Sequence, residues 1–70
     1  MERYEFYVIT MSIKNGFELY LEATNDGKYG WNKDLNEAIW FDSELEAESF
    51  SNKYFKNFKD WKIKEIKINI

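Results

Sequence analysis

The 70-residue chain contains no cysteine, no histidine and no proline, and only three glycines. Without cysteine there is no disulfide and no thiol nucleophile; without histidine there is no imidazole base, and without either there is no ordinary structural zinc. The glycines at 16, 27 and 30 match neither the phosphate-binding loop nor the dinucleotide fingerprint. Asn25-Asp26-Gly27 has the opening of a calcium loop but lacks its spacing of acidic ligands and its terminal glutamate. Long apolar runs are missing too. The longest, Phe6 to Ile13, falls far short of the roughly 20 residues that span a bilayer. No segment combines a basic start, an apolar run and a small-residue cleavage site. The expectation is a single domain over residues 1–70, not an enzyme, with no catalytic residue, no metal and no cofactor. It is expected in a reducing cytoplasm and not in a membrane.

What is abundant compensates for small size. A domain this short buries only about 60% of the surface its unfolded chain exposes, so one core is marginal. Six Phe, five Tyr and three Trp make up 20% of the residues, and each can bury on the order of 150–250 Å². Large side chains and self-association are the stabilising devices left when disulfides and metals are excluded.

Alternation identifies the strands. Tyr7, Ile9, Met11 and Ile13 share one parity, and Phe17, Leu19, Leu21 and Ala23 repeat the pattern after Lys14-Asn15-Gly16. A two-residue Asn15-Gly16 turn would pair Ile13 with Glu18 and mix apolar with polar faces. A three-residue loop pairs Ile13 with Phe17, Met11 with Leu19 and Ile9 with Leu21, with Gly16 in the left-handed position. Residues 24–30 read as a turn leading into a surface loop.

Asp34 with Glu37, and Ser43 with Glu46, have the form of helix starts, the first opening a short helix and the second the main one. In the main helix Ala47, Phe50, Tyr54 and Phe58 recur at helical spacing, which predicts the buried stripe, while Glu48, Asn52, Lys53 and Lys56 face water. Trp61 to Ile70 reads as a third strand. Its apolar phase shifts between Ile63 and Ile66, which predicts a β-bulge at Lys64-Glu65. The expected architecture is α+β, ββ(α)αβ: a three-stranded antiparallel sheet in the order 2-1-3, with both helices on one face and a lysine-rich edge.

Charge is unevenly distributed. Residues 18–48 carry nine acids against Lys28 and Lys33; residues 53–67 carry six lysines against Asp60 and Glu65. The net charge of −3 and the single Arg3 disfavour nucleic acid as a partner, which leaves a small nucleic-acid-binding accessory role as the weakest reading. Asp34, Glu37, Asp42, Glu44, Glu46 and Glu48 could form an acidic face for a basic protein surface, although solvation and helix capping account for the same residues. Phe6, Val8 and Tyr20 fall on the sheet face opposite the helix and could bury in a homodimer or a target interface. Tyr29, Trp31 and Trp40 flank the glycine-containing loop and the short helix, where aromatics serve as binding elements or as a lid on the core.

The order Tyr7-Val8-Ile9, Gly16, Tyr20-Leu21, Gly30-Trp31, Leu35, Ala38, Phe41, Ala47 and Phe50 resembles small proteins encoded in phages and prophages of low-GC Gram-positive bacteria. Nine Lys against one Arg, with seven Asn and seven Ile, matches the codon bias of an AT-rich genome. The resemblance implies an inhibitor of a bacterial defence system, anti-CRISPR or otherwise anti-defence, or of a host enzyme. Such a protein would act in the host cytoplasm by blocking the surface of a bacterial host protein. An alternative is an oligomeric sponge holding a nucleotide or signalling molecule between aromatics such as Tyr29 and Trp31.

Overall fold

A computed structural model describes residues 3–13, 16–56 and 60–69, with side chains described for 5–13, 16–56 and 60–68. The strands are β1 (Arg3–Ser12), β2 (Glu18–Ala23), β3 (Tyr29–Asn32) and β4 (Trp61–Asn69), and one helix, α1 (Glu44–Tyr54), follows a single 3-10 turn at Leu35–Glu37. The fold is α+β with an antiparallel sheet, as expected. The sheet, however, has four strands in the order β3-β2-β1-β4. The expected 2-1-3 order survives as β2-β1-β4, with the most apolar strand central and the lysine-rich one at an edge.

The added strand is β3, where a surface loop was expected. Thr24 and Lys28 close a tight turn, Thr24 N–H donating to the Lys28 carbonyl at 2.8 Å, and Gly27 takes the left-handed φ of +80° that this turn requires. The Asp26 carboxylate accepts from the Thr24 hydroxyl, which holds it below the usual carboxylate range. The chain then pairs back, Leu21 opposite Trp31 and Ala23 opposite Tyr29. Alternation was present in Tyr29-Gly30-Trp31-Asn32, but a four-residue strand containing glycine gives a weak signal.

The first hairpin has the expected register where its strands meet. Met11 lies opposite Leu19, Ile13 N–H donates to the Phe17 carbonyl at 3.0 Å, and Gly16 has φ +80°. Lys14 and Asn15, within the loop, lie outside the described residues. Pairing ends at Thr10 and Tyr20, so Ile9 and Leu21 are not ladder partners as expected. Residues 39–41 take up the exposed backbone instead. Ile39 N–H donates to the Leu21 carbonyl at 2.9 Å, and Tyr7 and Phe41 exchange two hydrogen bonds of 2.8 Å. The wedge supplies partners for polar groups that the splayed hairpin would leave unpaired.

No bulge interrupts β4. Its register against β1 runs unbroken from Arg3 opposite Asn69 to Met11 opposite Trp61. The apolar phase shift is real but reflects a change of covering partner. Trp61 and Ile63 pack with the helix-side core, whereas Ile66 lies opposite Phe6 on the other face.

The start of α1 follows the capping logic, with one shift. Ser43 Oγ accepts from Glu46 N–H at 3.1 Å, and the Glu46 carboxylate accepts from Asp42 N–H at 3.2 Å rather than from Ser43. The buried stripe differs from the expected one. Ala47 is fully buried and Phe50 packs on the core, as expected, but Ser51 is also fully buried and Phe55 also packs on the core, while Tyr54 is 48% exposed. Phe58 lies outside the described residues. Alanine and serine in these positions let the helix backbone approach the sheet, which larger side chains would prevent. The cost is a buried Ser51 hydroxyl without a hydrogen-bond partner, worth on the order of 1–3 kcal/mol.

Candidate interaction surfaces

The sheet face opposite α1 is not an open apolar patch. Phe6 is 5% exposed and Val8 is 0% exposed, so neither is available to a partner as first expected; Tyr20 is half-buried. Two features cover this face. Alternation along the wedge sends Ile39 and Phe41 to the core and Trp40 to the opposite side, where its ring stacks on Phe6 with centroids 3.9 Å apart. Further along, Lys64 Nζ reaches Glu18 Oε2 at 3.1 Å, an ion pair between β4 and β2 on the face that carries Val8.

Tyr29, Trp31 and Trp40 do not form one binding element. Tyr29 meets Phe50 edge to face at 5.0 Å and Trp31 packs on Phe55 at 5.7 Å, both on the helix side. Trp40 is on the other side, half of it exposed beyond its stack on Phe6.

All six acidic candidates, Asp34, Glu37, Asp42, Glu44, Glu46 and Glu48, are exposed. The Asp34 carboxylate accepts from Asn36 N–H at 2.9 Å and Glu46 caps α1, so two of the six have a structural role. The ion pairs among the described residues are Lys64 with Glu18 and Lys67 with Glu65, and neither involves these six. Among the described residues no three potential ligands gather into a metal-binding group. No helix of the described residues is long and apolar enough to cross a membrane.

Glu65 faces the helix side of β4 just beyond the reach of the core. The Tyr7 hydroxyl donates to its Oε2 at 2.9 Å. That bond holds the Glu65 carboxyl below its usual range, with a smaller contribution from Lys67. The same bond to Glu65 raises the Tyr7 phenol, aided by partial burial and by the charges of Glu65, Glu5 and Glu44. The signs fix the pH window. A lowered carboxyl contributes above its unfolded pKa and loses that contribution as pH falls through the folded value. A raised phenol contributes below its unfolded pKa and loses it as pH rises through the folded value. The stability difference between the native chain and Tyr7→Phe is therefore expected to be greatest between roughly pH 6 and 9 and to shrink at both extremes. Thermal melts across pH 3 to 11 measure it, and a difference constant across that range would refute the assignment.

One surface was not anticipated from the sequence. Along α1, Leu45, Glu46, Ser49, Phe50, Lys53 and Tyr54, together with Phe41, line a shallow open groove. Leu45 is 72% exposed, placed away from the Ala47 and Ser51 stripe. Its only sequence signal is a leucine out of phase with the buried face. Comparison of the chain with protein-family models, with curated proteins and with solved structures gives no match.

Proposed function

We propose that this chain is a non-catalytic interaction protein that blocks a basic surface of a bacterial host protein. In this reading it is a phage-encoded inhibitor of a defence system, anti-CRISPR or otherwise anti-defence, or of a host enzyme, working in the host cytoplasm. The observation that supports the reading is an acidic surface without internal neutralisation. Six carboxylates between residues 34 and 48 are exposed, with no ion pair to a lysine of the chain among the described residues. A field of one sign steers a partner of the opposite sign. Two residues before Asp42 in the chain, on the sheet face opposite α1, the exposed half of Trp40 offers the kind of aromatic anchor on which interfaces concentrate their energy.

The sponge reading has less support. Tyr29 and Trp31, its proposed clamp, pack against Phe50 and Phe55 rather than against each other across an open slot.

The test is affinity capture from a susceptible host with the native chain and with Glu37→Lys/Glu44→Lys/Glu48→Lys, three exposed positions that make no described hydrogen bond through their side chains. The native chain is expected to retain a host protein with a basic surface, weakening as salt rises, and the triple variant to lose it at least tenfold while melting at a similar temperature. Equal capture by the triple variant would remove the acidic surface from the mechanism. A melting shift of several degrees with a nucleotide, absent with host proteins, would favour the sponge.

A further inference from the structure

The groove along α1 has a symmetry that the acidic surface lacks. Its six lining residues on α1 fall into complementary pairs mirrored about a point between Ser49 and Phe50. Leu45 is as far from that point as Tyr54, and Glu46 as far as Lys53. Each mirrored pair is chemically complementary: acid with base, leucine with aromatic, small with large. In a two-fold interface every contact between residue i and residue j occurs twice, once in each direction. Two copies of α1 packed antiparallel across this axis would set Glu46 against Lys53 of the partner and Phe50 against the partner's Ser49. Leu45 would meet the partner's Tyr54.

We propose that the groove is the self-association surface of the chain and that its occupant is α1 of a second copy. Three observations support this occupant. Glu46 and Lys53 have no ion pair within the chain among the described residues, yet they carry opposite charges two helical turns apart on the same flank. Leu45 and Tyr54, at the two ends, are the apolar residues that α1 leaves exposed, and the mirror operation brings them together. Phe41 and Phe50, which line the groove, pack ring against ring with centroids 5.4 Å apart, an apolar surface for packing. A domain of this size without disulfide or metal also gains most from burying such a stripe. This surface shares Glu46 with the acidic one proposed above, whose test rests on Glu37, Glu44 and Glu48, and it replaces the Phe6, Val8 and Tyr20 face as the place where two copies meet.

Sedimentation equilibrium from a few to several hundred micromolar tests the proposal. The expected mass rises toward twice 8.5 kDa with concentration. Lys53→Glu should weaken association at least tenfold by placing two acids face to face, and Glu46→Lys should do the same with two bases. The double exchange Glu46→Lys/Lys53→Glu restores the pairing in reverse and should recover association. Because Glu46 also caps α1, Leu45→Asp provides a second route, since a residue 72% exposed can change without unfolding the chain. It too should give a monomer. Register is read separately: Ser49→Cys, the sole thiol of such a variant, should cross-link between copies with a short bismaleimide, and Ser12→Cys should not. A native chain that stays monomeric at several hundred micromolar overturns the proposal. So does a dimer indifferent to Leu45→Asp and Lys53→Glu, or a double exchange that stays folded by circular dichroism without recovering association.

Discussion

Ile9→Ala is expected to destabilise the protein by about 2–5 kcal/mol, enough to leave much of the population unfolded at room temperature. Ile9 is fully buried at the middle of the central strand. It lies opposite Ile63 of β4 and forms, with Leu21 and Ala47, the cluster on which the surrounding aromatics converge. Truncation removes the transfer free energy of the lost methyl groups and leaves a cavity. Neither the strand backbone, tied into the ladder with β4, nor a helix seated on alanine and serine can collapse readily into it. A domain of this size has only a few kcal/mol to lose. Urea denaturation followed by circular dichroism measures the change, with Ile13→Ala, an exposed position next to the hairpin loop, as the companion variant. The companion should cost less than about 1 kcal/mol. Comparable losses at the two positions would show that the core is not centred on Ile9.

The second large effect is at Trp40. Replacing a buried tryptophan by alanine costs about 3–5 kcal/mol, and Trp40 is 51% exposed, so about 1.5–2.5 kcal/mol is expected of Trp40→Ala. The loss has a specific origin. The indole stacks on Phe6 with an interplanar angle of 18°, and removing it opens Phe6 to water on a face that has no helix. Trp40→Phe keeps an aromatic ring over Phe6 and should retain more than half of the stability. If Trp40→Ala cost less than about 0.5 kcal/mol, the stack would not be what closes this face. The same variant probes the proposed partner contact, because an anchor at Trp40 would lose affinity even in Trp40→Phe while the fold persisted.

These two positions lie on opposite sides of one sheet, and they show how the sheet buries side chains on both faces with one α-helix among the described residues. A three-stranded hairpin sheet under one helix would leave Phe6 and Val8 bare. The chain instead opens its first hairpin beyond the pair of Thr10 and Tyr20, on the side away from the turn, and passes Ile39, Trp40 and Phe41 along the gap, with side chains alternating between the two sides. Phe6, on the outer face, is thereby buried without a second layer.

Local pattern made the strands at Glu5–Ile13, Phe17–Ala23 and Trp61 onward legible, together with the hairpin register next to its turn, the central place of the first strand and both helix starts. These depend on two-residue and 3.6-residue periodicities and on caps whose partners lie three residues away. The exclusions that follow from having no cysteine and no histidine are equally a property of composition. Sequence periodicity placed Ala47 and Phe50 of α1 on the buried side but not Ser51, because Tyr54 and Ser51 are exchanged relative to hydrophobicity once the helix approaches the sheet closely. It misplaced the phase shift in β4, since a bulge and a change of covering partner produce the same pattern. It left Phe6 and Val8 exposed, because their burial depends on segments distant in the chain, Trp40 stacking on Phe6 from more than thirty residues away. The acidic surface was legible as residues, and tertiary structure added that its carboxylates meet no lysine of their own chain among those described. The mirrored pairs in α1 were always present in the sequence, yet only the packing of Ala47, Ser51 and Phe55 turns their residues outward as a single groove. Short-range order was written locally; which side of each element is wet was decided by contacts between segments far apart in the chain.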